Sequence, residues 1–206
     1  MHPFRRFRNS IVAPIGVALL AACSSGGDGE QATANASDTT QVAAPAPAAP
    51  VGGAMAGMQH GPAKDADQEF LRMMVDHHQG LLQMAQQVME RGSTDEVKAE
   101  AQALVRKQEP EQKEMLAILQ REYQDNHQPT VMPSNRAMLD SLATKSGADY
   151  DMAFRMNVIA HHREGIQMTD QILPRLTRPE VKSMAEASKA DQAKDIQQLE
   201  SKMGHS

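Results

Sequence analysis

Between Asp67 and Arg91 apolar residues recur every three or four positions: Phe70, Leu71, Met74, Val75, Leu81, Leu82, Ala85, Val88 and Met89. That spacing lays one stripe along a helix. Gly92-Ser93-Thr94-Asp95 supplies a stop and a polar cap for the next helix. The stripe resumes with Val97, Ala101, Leu104, Val105, Met115 and Leu119. It predicts a second helix over 95–123, kinked at Pro110, which cannot donate to the helical ladder. Residues 125–133 read as a loop and 134–147 as a short helix. Asp149 or Asp151 is placed to cap a third long helix that reaches about Leu173. Thr177 to Glu180 turns the chain, with Pro179 near the first helical position, and a fourth long helix reaches about Met203. The alternation of period two that marks a strand is nearly absent. Four long helices with short turns inside each pair predict an all-α four-helix bundle of two hairpins; an open α-array is the alternative.

The two hairpins are copies. His-His-x-x-x-x-Gln-Met occurs as His77-His78 to Gln83-Met84 and again, 84 positions later, as His161-His162 to Gln167-Met168. The same ungapped shift aligns Asp67 with Asp151, Phe70 with Phe154, Arg91 with Arg175, Glu96-Val97-Lys98 with Glu180-Val181-Lys182, Ala101 with Ala185 and Gln108 with Gln192. An internal duplication of this kind brings two equivalent His/Met sets into one fold. Repeat 1 spans about 67–119 and repeat 2 about 151–203.

A helical projection separates the histidines of each pair. His78 and His162 fall within the apolar faces, whereas His77 and His161 fall at their edges. Met73 and Met84 share the edge with His77, and Glu164 and Met168 share it with His161; Asn157 stands where Met73 stood. With the first turn centred near Gly92, His77 and His78 are level with Gln108 and Lys107; in the second hairpin His161 and His162 are level with Gln192 and Asp191. A polar layer of His and Gln is therefore expected across the core, with Ala101 and Ala185 leaving room near Met84 and Met168. Such a layer has to be satisfied internally, by hydrogen bonds or by a metal.

The chain's start adds an address. Arg5, Arg6 and Arg8 precede an apolar run, 11–22, that is short for a membrane span. Leu20-Ala21-Ala22-Cys23 looks like a bacterial lipobox, so residues 1–22 read as a signal peptide and Cys23, the only cysteine, as the lipidated residue. Residues 23–64 are rich in Ala, Gly, Ser, Thr and Pro and read as a flexible tether; residues 65–203 are the size of one domain. Loss of the three signal arginines from 21 basic residues leaves 18 against 26 acids, a formal charge of −8, which argues against nucleic acid as a partner. The expected place is the bacterial cell envelope, lipid-anchored and facing the periplasm or exterior, with the membrane met through Cys23 only. Fifteen Met in a chain with no Trp are either soft core filler or thioether ligands.

Phe70-Leu-Arg-Met-Met-Val-Asp-His-His-Gln-Gly with Met84-Ala85, its copy from Phe154 to Met168, and Gln108-x-x-Glu111-x-x-x-Met115 with Gln192-x-x-Asp195-Ile196-x-x-Leu199 resemble the bacterial secreted family called domain of unknown function 305. The resemblance covers essentially all of 65–203. It implies a ferritin-like helical bundle and, for some members, copper binding or copper tolerance outside the cytoplasm. Pro110, Asn157 for Met73, and Leu199 for Met115 depart from an ideal repeat.

Three readings follow. The first is a copper- or silver-binding protein, since imidazole suits copper and thioether favours Cu(I) or Ag(I). His77 and His161 with Met73, Met84 and Met168 would touch the ion; His78 and His162 are further ligands or core residues. Gln108, Gln192, Glu111, Glu164 and Asp195 would orient the imidazoles. Met55-x-x-Met58-x-His60 and Met203-x-His205 are either capture sites or chance residues of flexible ends. The second is a structural or interaction bundle whose His-Gln layer sets helix register. The third, a di-iron oxidase, needs several inward carboxylates, typically with Glu-x-x-His; here the order is His161-x-x-Glu164 opposite His77-x-x-Gly80, so no enzyme is expected.

Overall fold

The structure, a computed structural model, describes residues 61–204. The signal segment, Cys23, all but the last residues of the tether, Met55, Met58, His60 and His205 lie outside the described residues. Among the described residues five α-helices are formed: α1 (Ala66–Arg91), α2 (Asp95–Tyr123), α3 (Pro133–Ala143), α4 (Gly147–Ile172) and α5 (Pro179–Met203), with a 3-10 turn, Leu173–Arg175, after α4. Among the described residues there is no strand, and no helix is long and apolar enough to cross a membrane. The expected all-α bundle of two hairpins is the one observed. α1 packs along α2 and α4 along α5; the hairpins meet through α1 and α4, and α3 lies against both of these.

Local chemistry sets most helix ends. Asp65 Oδ1 accepts from Gln68 N at 2.8 Å and Thr94 Oγ1 from Val97 N at 3.2 Å, satisfying amide groups that a helix start leaves open. α5 begins on Pro179, whose missing N–H is no loss there. α2 runs through Pro110 as one helix. The start of α4 departs from expectation. Its cap is Ser146, without a side-chain bond, and Asp151 is engaged elsewhere. The Asp151 carboxylate accepts from Ser93 N at 2.9 Å, Ser93 Oγ at 2.6 Å and Thr94 Oγ1 at 3.1 Å. Asp67, its counterpart, accepts from Thr177 N at 3.2 Å, Thr177 Oγ1 at 2.6 Å and Arg178 N at 3.2 Å. Each hairpin's first helix thus ties down the turn of the other hairpin.

The core shows the same exchange. One apolar cluster holds Phe70, Met168, Val181 and Ala185; the other holds the counterparts Phe154, Met84, Val97 and Ala101. The small side chains at 101 and 185 lie, as expected, in the clusters of Met84 and Met168. Met89, expected inward, is 40% exposed. The α2–α3 connector is pinned to α1 by polar groups: Asp76 Oδ1 accepts from Thr130 N at 2.8 Å and bonds His127 Nε2 at 2.9 Å. Arg72 Nε reaches Asp125 at 2.6 Å.

Because three hydrogen bonds end on each latch carboxylate, Asp67→Ala and Asp151→Ala should each lower unfolding free energy by about 2–3 kcal/mol. Denaturant titration checks this; losses under about 0.5 kcal/mol, the range of ordinary surface changes, would show that the latches carry no weight.

Candidate metal centre

α1 is enclosed by α2 on one side and α4 on another, and α4 by α5 and α1. The edge of the apolar stripe is therefore covered as fully as its middle. All four histidines, His77, His78, His161 and His162, are 0% exposed, which corrects the edge placement expected for His77 and His161. Those two meet face to face across the α1–α4 contact. His77 Nε2 donates to the backbone carbonyl of His161 at 3.0 Å, and His161 Nε2 donates to that of His77 at 2.9 Å. Their rings stack with centroids 3.7 Å apart and planes 27° from parallel, far inside the roughly 10 Å beyond which two side chains could not share an ion, metal–nitrogen bonds being about 2 Å. His78 follows at 6.2 Å from His77 and His162 at 5.8 Å from His161, so four imidazoles adjoin in succession between the two apolar clusters.

A carbonyl only accepts, so in the neutral rings of His77 and His161 the proton sits on Nε2 and Nδ1 keeps its lone pair. Both Nδ1 atoms are buried and have no hydrogen-bond partner; the same is true of Nδ1 of His78 and of both ring nitrogens of His162. Two glycines permit the crowding. A Cβ on Gly165 would lie 2.3 Å from Gln192 Oε1 and 2.7 Å from His77 Cε1, and one on Gly80 would lie 2.3 Å from Asn135 Nδ2. Asn135 Nδ2 in turn donates to the His77 carbonyl at 3.3 Å.

At the outer ends the imidazoles face carboxylates. His78 Nε2 is 3.0 Å from Glu111 Oε2. His162 Nε2 is 3.7 Å from Asp195 Oδ2, too far for a hydrogen bond, and Lys107 Nζ pairs with the other oxygen of Asp195. Glu111 and Asp195 are themselves 84 residues apart and lie one helical turn beyond the level expected from the turn centres. Gln108 and Gln192 are buried, each with Oε1 unpartnered; Gln192 Nε2 donates to Ser188 Oγ at 3.1 Å. Glu164 lies toward Ser134 of α3, whose hydroxyl favours its charged form, but burial outweighs this and pushes the carboxyl up. Met73 and Met168 belong to one apolar cluster and Met84 to the other. Met84 and Met168 are each seven residues, about 10 Å of helix axis, from His77 and His161. Among the described residues no three His, Cys, Asp or Glu are disposed to hold one ion.

The departures between repeats converge on α3, which sequence reasoning did not connect with the site. Asn157, in the place of Met73, donates to the Met138 carbonyl and Ser141 Oγ, both at 3.1 Å. Glu164, in the place of Gly80, reaches Ser134, and Gly80 admits Asn135. One inserted helix therefore accounts for two asymmetries, Met73 against Asn157 and Gly80 against Glu164; the repeat comparison was the available signal.

Burial, and then the neighbouring imidazoles, hold His77 and His162 well below the ordinary histidine range. Burial lowers His161 to about 3 against the raising effect of its carbonyl bond. These rings are neutral at pH 7. Their folded values are depressed, so their stabilising effect is complete above the unfolded value of about 6.5 and is lost as pH falls, because only the unfolded chain takes the proton. Lowering the pH from 7.5 to 5 should reduce unfolding free energy, with His161 alone contributing about 2 kcal/mol, and His161→Gln should flatten the slope. Denaturant midpoints that do not move over this range would show that the rings are not buried neutral.

Among solved structures, the chain is similar to CopM in its Cu(I)-bound form, with 28% identity, 68% of this chain and 96% of that chain covered, and a TM-score of 0.58. CopM in a silver-bound form matches at 29% identity, with 68% and 96% covered and a TM-score of 0.58. A DUF305 fragment from Deinococcus radiodurans matches at 25% identity, with 71% of this chain and 100% of that one covered and a TM-score of 0.62. No curated protein sequence matches the chain. A family model covers residues 52–201, and the chain belongs to that family, a domain of unknown function designated DUF4142.

Proposed function

We propose that this chain is a copper- or silver-binding protein of the bacterial cell envelope and not an enzyme. The observation that carries the reading is the state of the imidazoles. A histidine that binds a metal through one nitrogen commonly donates the other N–H to a backbone carbonyl or carboxylate. His77 and His161 donate to carbonyls and His78 faces Glu111, leaving three buried Nδ1 atoms without a partner. Each unmet buried polar atom costs roughly 1–3 kcal/mol, which coordination would offset. The likeness to CopM, solved with Cu(I), Cu(II) and silver, supports copper as the cargo. His77, His78, His161 and His162 would supply imidazole nitrogen, and Met73, one turn from His77, is the thioether best placed along the helix to join them; Met84 and Met168 would act from either side. Glu111, Asp195, Gln108 and Gln192 would orient the rings.

The reciprocal His–carbonyl bonds also suit a second reading, in which the polar layer only fixes how the hairpins pair. Titration separates the two. The full chain should bind Cu(I) and Ag(I) and melt at a higher temperature when loaded, and a variant with all four histidines changed to alanine should lose most of that affinity. Stoichiometry and affinity unchanged in that variant would sink the metal reading, and a melting temperature indifferent to copper and to chelator would favour the structural one.

The envelope location rests on the lipobox-like Leu20-Ala21-Ala22-Cys23, with the membrane met through lipidated Cys23. Metabolic lipid labelling should mark the wild-type chain and not Cys23→Ala; equal labelling of both would reject the anchor.

A further inference from the structure

Resting on the metal reading, the structure assigns Lys107 a role in making the two halves unequal. The duplication gives each half the same pair, an imidazole and a carboxylate one helix away: His78 with Glu111, and His162 with Asp195. The halves differ in what the carboxylate does. Glu111 lies 3.0 Å from His78 Nε2, and among the described residues no lysine or arginine forms an ion pair with it. Asp195 pairs with Lys107 Nζ and stands 3.7 Å from His162, whose two ring nitrogens are both unpartnered. Position 191, the repeat counterpart of Lys107, is an aspartate, so Glu111 has no lysine equivalent to the one that faces Asp195.

Two consequences follow from the placement of that one ammonium group. It takes the carboxylate that would otherwise orient His162, and loss of such an orienting partner typically weakens metal binding 10–100-fold. It also sets a positive charge beside the imidazole at which a cation would arrive. The ammonium is itself reachable: Lys107 and Asp195 line a cleft of about 410 Å³ between α2 and α5, together with Ala103, Leu104 and Lys194, and the lysine side chain is 39% exposed. We propose that Lys107 acts as a built-in counter-ion that holds the His162 side in a low-affinity state, so that the first ion binds on the His78 side. Lys107 is a positioning residue, acting on His162 through Asp195.

The test follows individual imidazoles by nitrogen-15 NMR while Ag(I) is added to the full chain. In the wild type, His78 signals should move at a free Ag(I) concentration roughly tenfold or more below that which moves His162. In Lys107→Met, where Asp195 is released to His162, the two should move together. In the mirror variant Asp191→Lys, at an exposed position, His78 should be delayed; this variant carries the test if Lys107→Met does not fold. Simultaneous movement in the wild type, an unchanged interval in Lys107→Met, or no delay in Asp191→Lys would overturn the role of Lys107 while leaving metal binding intact. No response of any imidazole in the wild type would overturn the metal reading and this inference with it.

Discussion

The rest of the bundle depends on the reciprocal bonds between His77 and His161. A helix that buries a polar side chain at an apolar interface has to find it a partner, because an unmet group costs as much as several good contacts return. Helical carbonyls still have a second lone pair after their own ladder bond. Here each histidine uses the carbonyl of the other, across the contact between α1 and α4. The solution works only when the helices cross closely at one register. That requirement explains Gly165, whose Cβ would strike His77, and the division of the core into two apolar clusters on either side of the layer.

The exchange of partners between halves extends from this centre to the ends. Asp67 and Asp151 hold each other's hairpin turns, so the hairpins are tied where they touch and again where they reverse. Neither copy would have its polar groups met alone. The duplication therefore makes a single unit rather than two adjacent ones, and its symmetry is a consequence of mutual hydrogen bonding. The bundle departs from symmetry where α3 intervenes and where Lys107 replaces an acid. α3 uses Asn135, Ser134 and the Met138 carbonyl to meet residues that have drifted from their counterparts.

For function, the consequence is a polar layer whose nitrogen atoms are half committed. One face of each central ring is oriented and dry, and the other nitrogen is left unspent. Burial keeps these rings neutral, which is the form a metal requires. The same burial makes the layer costly in acid.

Apolar periodicity and turn residues were enough to place four long helices and the two hairpins, because those features depend on local spacing; the duplication showed in identities 84 positions apart. The repeat also marked the four histidines with Gln108 and Gln192 before any fold was known, and the family resemblance added Glu111 and Asp195; Glu164, expected beside them, lies toward Ser134 of α3 instead. Which histidines face each other was not legible. A projection assigns one buried face per helix, whereas α1 and α4 each have two, since each packs on its hairpin partner and on the other hairpin. The destinations of Asp67, Asp151 and Glu164 were hidden for a related reason. Their partners are turn amides and hydroxyls remote in sequence, and a bond from a side chain to distant backbone leaves no periodic trace. The sequence by itself determined the elements and the chemical inventory of the layer; only tertiary contact decided how the rings pair, because pairing depends on which carbonyls and carboxylates the packed helices bring within about 3 Å.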